Sequence, residues 1–202
     1  MQTLQKSTRI IDTLLKVAFW WLVALTVYYC YYYIRFLLYL NSDSFQSGSG
    51  RLAGFTVGFM EIHYTRGMPY TRDIATLSNI YGLVTVLTLN GLYCGAIRVL
   101  RHILRPMAEG TPFAGSIWTD LKKLGWISLA LCAADNAADL GIVVIYEYVY
   151  HIEKLLESGN IQSVHFRYQF EPAFAIVALV LFLLSHIFRY GTQLQQLSDE
   201  TL

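Results

Sequence analysis

The sequence predicts an all-α membrane protein: a four-transmembrane-helix bundle with a small extracytoplasmic β-strand cap. Three observations lead there, namely an apolar composition, four long runs with almost no charge, and an uneven distribution of lysine and arginine. Hydrophobic residues make up 55% of the 202 positions and charged residues 14%, against about 25% charged in an ordinary soluble domain. The excess sits in Val17–Ile34, Ile80–Ile97, Leu124–Ile145 and Ala173–Ile187; the third is interrupted by Asp135 and Asp139, and the fourth carries only His186. A bilayer core about 30 Å thick takes about 20 helical residues. The first three runs suffice, and the fourth needs a short extension. The expected spans are about 14–40, 74–105, 116–150 and 171–190, in a single membrane domain over 1–202. Outer loops then cover 41–73 and 151–170, and the inner loop 106–115.

Lysine and arginine set the expected orientation, because short cytoplasmic loops accumulate them. With the N-terminus inside, the inner side holds nine, namely Lys6, Arg9, Lys16, Arg98, Arg101, Arg105, Lys122, Lys123 and Arg189. The outer side holds five, Arg51, Arg66, Arg72, Lys154 and Arg167, with Arg35 inside the first span. Both termini are therefore expected in the cytoplasm of a cell whose inner (plasma) membrane the chain crosses repeatedly. The first apolar run is too long for a signal-peptide core, and no small-residue cleavage motif follows it. Cys30, Cys94 and Cys132 all fall within spans, which excludes a disulfide framework in the outer loops. A net charge of +1 gives no argument for direct nucleic-acid binding.

Taken in order, Met1–Lys16 is an amphipathic lead-in, with Leu4, Ile10, Ile11, Leu14 and Leu15 among Lys6, Arg9 and Lys16. The outer half of span one is rich in tyrosine, as an interfacial aromatic belt would be. In the first outer loop, Ser47-Gly-Ser-Gly50 is a flexible stretch, and Phe55-Thr-Val57-Gly-Phe59 alternates with the period of a half-buried strand. Val164-His-Phe166-Arg-Tyr168-Gln-Phe170 alternates likewise, and the two runs are expected to pair as the cap. Span two should run to Arg105 and stop at Pro106. Its Gly91 and Gly95 form a GxxxG pair suited to close helix approach. A turn follows at Pro106–Phe113, then an amphipathic lead-in, Ile117-Trp118 to Lys123, into span three, and span four ends in a polar tail.

Asp135 and Asp139, one helical turn apart with Asn136 beside them, are the most informative residues of span three. Each carboxylate at the bilayer centre costs roughly 2.5–3.5 kcal/mol on insertion scales, so lipid-facing placement is not expected. Counting about 1.5 Å per residue places Asp139 about 22 Å and Arg35 about 27 Å from the inner side. The same count sets Asn90 level with Asp135. The expectation is an Arg35–Asp139 ion pair and an Asn90–Asp135 hydrogen bond or water bridge. A permanently satisfied polar group fixes helix register, whereas an unsatisfied carboxyl is free to bind a proton or cation.

No nucleophile-elbow, P-loop or dinucleotide fingerprint occurs, so no catalytic residue is expected. His102 and His186, near the inner ends of their helices, are the only candidates for bis-histidine haem, and interface placement accounts for them more simply. His63, His151 and His165 with Glu61, Glu147 and Glu153 lack the spacing of a metal motif. No cofactor or metal is expected. At the inner surface, Arg101, Arg105 and Lys122 surround Gly110, Pro112 and Phe113, with Trp118 beyond. Positive-inside bias and contact with anionic lipid account for the charges. The sharper reading is a docking surface with Phe113 and Trp118 as apolar anchors.

The runs Leu100-Arg-His-Ile-Leu104, Gly110-Thr-Pro112-Phe113 and Leu121-Lys-Lys-Leu-Gly125, and the ending Phe188-Arg-Tyr-Gly191, Leu194-Gln195 and Asp199-Glu-Thr-Leu202, carry a resemblance. The chain resembles an uncharacterised bacterial family of four-span membrane proteins, the domain of unknown function twenty-nine seventy-five. That resemblance implies an inner-membrane protein whose partner is a small cytoplasmic helix-turn-helix regulator. It implies no catalytic residues, and the Asp135/Asp139 pair is not assigned to the family pattern. The leading expectation is a regulatory or sensory partner of such a regulator. The alternative is a small transporter, channel or proton/cation-coupled protein using the aspartate pair, and a third is a lipid- or quinone-binding structural subunit. The partners expected are the lipid bilayer, that regulator and a second copy of the chain in a homo-oligomer.

Overall fold

The computed structural model describes residues 2–42, 51–57, 60–69, 72–108, 117–150, 161–166 and 170–200. Most of them lie in four α-helices: α1 (Gln2–Leu40), α2 (Arg72–Ala108), α3 (Ile117–Tyr150) and α4 (Ala173–Glu200). All four are long and apolar enough to cross a membrane, over Ser7–Leu40, Arg72–Pro106, Ile117–Val149 and Ala173–Leu197. The physical reason is common to them. In hydrocarbon every backbone N–H and C=O must be satisfied within the segment, and a helix does so from its own residues.

The helices outrun the expected spans. α1 begins at Gln2 rather than near residue 14, because the amphipathic lead-in continues the helix. Thr13 Oγ1 donates to the Arg9 carbonyl at 2.9 Å, and Lys16 pairs with Asp12 one turn back at 2.8 Å. At its other end the Ser42 hydroxyl and backbone N–H both donate to the Tyr39 carbonyl, at 2.7 and 3.0 Å, closing the last turn. Pro106 was expected to end α2, yet the helix carries it in its last turn and stops at Ala108. A proline there removes one ladder bond, to the His102 carbonyl, close to an end where few bonds remain to lose. α4 likewise continues through the polar tail to Glu200.

The chain forms two compact units. The first comprises Met1–Leu25, Leu89–Ala133 and Pro172–Leu202. Its core is Ile103, Ile117 and Leu121, packed against Val99, Leu124, Leu181, Leu184 and Phe188. Ser185 Oγ donates to the Trp118 carbonyl at 2.7 Å, tying α4 to the first turn of α3. Gly125 lets the Phe182 ring lie directly against the α3 backbone, where a Cβ would collide with it. By contrast, among the described residues nothing lies within 4 Å of a Cβ placed on Gly91, and one on Gly95 would meet only Ile127 at 3.9 Å. The GxxxG pair is therefore not a close-contact seam in this chain. Backbone approach is made elsewhere, by single glycines under aromatic rings.

The second unit comprises Thr26–Thr88 and Ala134–Glu171. Leu40, Ile74, Ala75 and Asn79 are buried in it. Asn79 Nδ2 donates to the Tyr33 carbonyl at 3.0 Å, which joins α2 to α1. Tyr81 Oη reaches the carbonyls of Ala137 and Ala138 at 2.9 and 3.1 Å, over the space that Gly141 leaves open.

The same unit contains a three-stranded antiparallel sheet of β1 (Arg51–Val57), β2 (Met60–Pro69) and β3 (Ile161–Phe166), in the order β1-β2-β3. Phe55 stands opposite Ile62, and Ile62 opposite Val164. The two runs expected to pair with each other are thus separated by β2. That strand occupies the segment straight after the first run, as a hairpin partner does at far lower loop-closure cost than a strand about 100 residues away. The register shifts between Leu52 and Gly54 and between His63 and Tyr64. The flexible stretch Ser47–Gly50 lies outside the described residues.

Candidate functional site

The structure separates the residues of the expected intramembrane polar group. Asp139 is exposed and Asp135 half-buried on α3. Arg35 is also exposed, and its Nη1 donates to the Tyr31 hydroxyl at 3.0 Å, one turn back on α1. Among the described residues Arg35 forms no ion pair with Asp139, and Asp135 accepts no hydrogen bond from Asn90. An arginine with a tyrosine hydroxyl one turn away finds an acceptor without leaving its own helix, and here it does so. Asn136, expected to accompany the acids, instead clamps the backbone before α4. Its Nδ2 donates to the Glu171 carbonyl at 3.3 Å, and its Oδ1 accepts from the Glu171 N–H at 3.2 Å. That pairing satisfies both ends of one amide, a structural use rather than a ligand site.

Of the expected docking residues, Gly110, Pro112 and Phe113 lie outside the described residues, as do His151 and Glu153. Arg101, Arg105, Trp118 and Lys122 fall in the first unit. Trp118 is half-buried and is not a free anchor, because the Arg189 guanidinium lies 5.4 Å from its ring centroid. That stacking is the favourable cation–π geometry, worth about 0.5–1 kcal/mol at an exposed site. Trp118, Lys122, Ser185, His186 and Arg189 line a small cavity of about 100 Å³. His102 lines a different one.

Sequence reasoning missed the residue that organises this region. Asp120, with 5% of its side chain exposed, accepts from Lys123 Nζ at 2.9 Å and meets His102 Nδ1 at 2.5 Å. It joins the first turn of α3 to the last turns of α2, holding the two helices together across the loop between them. A second acid, Asp12, accepts from Lys16 Nζ at 2.8 Å and Arg101 Nε at 2.9 Å, so α1 is tied to α2 in the same unit. The signal for Asp120 was available in its i,i+3 relation to Lys123 and its place in a helical first turn, where acids favour the dipole. Nothing local announced His102 or Arg101 as the partners.

A cleft of about 590 Å³ lies between these parts of α1 and α2. Arg9 and Lys16 line it from α1, and Arg98, Arg101 and Arg105 from α2. Neither aspartate of the expected intramembrane pair lines this cleft, the Trp118 cavity or a third, shallower one beside Ile10 and Leu14. Among the described residues no three His, Cys, Asp or Glu side chains gather as a metal site. Comparisons with protein-family models, with curated proteins and with solved structures return no match.

Proposed function

We propose that the chain is a regulatory or sensory protein of a bacterial inner (plasma) membrane, with both termini cytoplasmic, and that its basic end docks a small cytoplasmic helix-turn-helix regulator. On this topology the β-sheet is an extracytoplasmic cap. The observation that carries the reading is the Asp120 bridge to His102 and Lys123, which sets the basic ends of α2 and α3 side by side. The bridge presents Arg101, Arg105 and Lys122 on one joined base instead of two independent helix ends. The family resemblance of the adjoining loop supplies the class of partner, and the excess of lysine and arginine supplies the orientation.

The test is co-purification of a tagged full chain with the helix-turn-helix protein encoded beside it. Retention should fall at least tenfold in Arg101→Ala/Lys122→Ala, the loss expected from two charge-assisted contacts. Unchanged retention removes the docking surface. Reporter fusions after Leu202 and within residues 151–160 test the orientation independently.

One observation favours a second reading. Asp139 is exposed and neither it nor Asp135 is paired among the described residues. Such a carboxylate calls for a proton, a cation or a second copy of the chain when it lies in hydrocarbon. The transporter reading predicts proton or cation flux in liposomes that Asp135→Asn/Asp139→Asn abolishes. The homo-oligomer reading predicts no flux and a smaller particle for the same variant.

A further inference from the structure

The cleft between α1 and α2 shares Arg101 and Arg105 with the docking surface, and it carries a charge imbalance of its own. Arg98, Arg101 and Arg105 lie at helical spacings of three and four on one stripe of α2, and Arg9, Asp12 and Lys16 lie at spacings of three and four on the facing stripe of α1. Five cations thus line the cavity with a single carboxylate. Asp12 is already shared between Lys16 and the Nε edge of Arg101, which leaves both terminal nitrogens of that guanidinium to point elsewhere. The side chains of Arg9, Arg98 and Arg105 have neither an ion pair nor a hydrogen bond among the described residues. Like charges gathered around one cavity repel, and an anion with several acceptor oxygens relieves the repulsion. Guanidinium forks match the oxygens of a phosphate two at a time, so arginine predominates where phosphate is recognised.

Size and surroundings narrow the ligand. A volume of about 590 Å³ falls in the range of small-molecule sites, about 300–1,000 Å³. Arg9 and Thr13 also border a second, shallow cavity of about 300 Å³ lined by Ile10 and Leu14. Ile10, Leu14 and Val17 are all exposed on α1, so an apolar strip leads away from the basic cleft. A charged pocket opening onto such a strip suits an amphiphile with a phosphate at one end.

We propose that this cleft is a binding site for a phosphate-bearing anion, with the headgroup of an anionic phospholipid as the source that its apolar border favours. The phosphate sits among Arg9, Arg98 and Arg105, and Arg101 contributes its remaining donors. The acyl chains lie along Ile10, Leu14 and Val17. Asp12 competes with the ligand for Arg101 and Lys16, and so limits affinity. The site does not rest on the helix-turn-helix partner: it is tested on the purified chain alone, so loss of one leaves the other standing.

The experiment measures binding to the full-length protein in detergent by native mass spectrometry and by thermal shift. The probes are water-soluble dioctanoyl phosphatidylglycerol, dioctanoyl phosphatidylcholine and inorganic phosphate. The anionic lipid should bind saturably and the zwitterionic one should not. Arg98→Gln/Arg105→Gln should weaken binding at least tenfold, as expected when two charge-assisted bonds are lost. Asp12→Asn should tighten it severalfold, a gain that a merely misfolded variant does not produce. Arg72→Gln, a charge loss outside the cleft, should change nothing. If inorganic phosphate binds as tightly as the lipid, the phosphate site stands and its source is a soluble anion. Absence of saturable binding by either probe, or equal affinity in wild type and Arg98→Gln/Arg105→Gln, overturns the proposal.

Discussion

Replacing Gly141 by alanine tests how tightly α2 and α3 are held in the second unit. A Cβ on Gly141 would occupy the space of the Tyr81 hydroxyl and the tip of its ring, so the ring must swing away. Its bonds to the Ala137 and Ala138 carbonyls, at 2.9 and 3.1 Å, are then lost. The lost hydroxyl contact costs about 1 kcal/mol and the overpacking about 1–3 kcal/mol. Alanine returns about 1 kcal/mol through its higher helix propensity. The net expectation is a destabilisation of about 2 kcal/mol. Tyr81→Leu alone should cost a similar about 2 kcal/mol, through the same hydroxyl and the lost ring packing. Together the two changes should cost only about 1 kcal/mol, because the shorter side chain leaves room for the new methyl and the propensity gain survives. The coupling is therefore about −3 kcal/mol. Equilibrium unfolding in mixed micelles at rising dodecyl sulfate fraction, followed by far-ultraviolet circular dichroism, measures all four corners of the cycle. Additivity within about 0.5 kcal/mol would refute the contact.

Three further outcomes follow from the same kind of accounting. Asp120→Ala should destabilise the first unit by about 1–3 kcal/mol in that unfolding assay, whereas Lys123→Ala should cost about 0.5 kcal/mol or less, because its exposed ammonium is screened. A cost for Asp120→Ala no larger than that of Lys123→Ala would remove the bridge to α2. Asn136→Ala strips both polar contacts from the Glu171 backbone, so the Glu171 amide should exchange its hydrogen about ten times faster while the amides of α2 hold; equal protection would show that the clamp is idle. Ser185→Ala should cost about 1 kcal/mol through the lost hydroxyl contact to the Trp118 carbonyl, and a shift in tryptophan fluorescence should accompany it; no change in either disposes of that tie between α4 and α3.

The four spans were legible because hydrophobicity over about 20 residues is a collective signal that no single substitution erases. Their ends were not, since past the apolar run the helix continues on polar pairs such as Lys16 with Asp12, and Pro106 falls where its cost is small. β2 was readable in principle: Met60, Ile62 and Tyr64 alternate with Glu61, His63 and Thr65, the same period that marked its neighbours. Which strands are adjacent is a question of loop closure, and periodicity carries no information about it. The Arg35–Asp139 expectation failed for a different reason. Depth along a helix can be counted, but rotation about its axis cannot, and Arg35 meets the Tyr31 hydroxyl on its own helix. Asp120 escaped notice because its importance depends on His102, 18 residues earlier, and only packing brings them together.

The long helices have a consequence for how the chain sits in lipid. At about 1.5 Å per residue the candidate spans of α1, α2 and α3, with 34, 35 and 33 residues, each measure about 50 Å, some 20 Å more than a hydrocarbon layer. Length therefore does not fix their vertical position, and hydrophobic mismatch cannot strand them. What does fix it is the chemistry at each level: tryptophan at 20 and 21, tyrosines toward 39, arginines at 98, 101 and 105. Helices anchored in that way can slide like pistons or change tilt as the bilayer thins or thickens, without unwinding a turn.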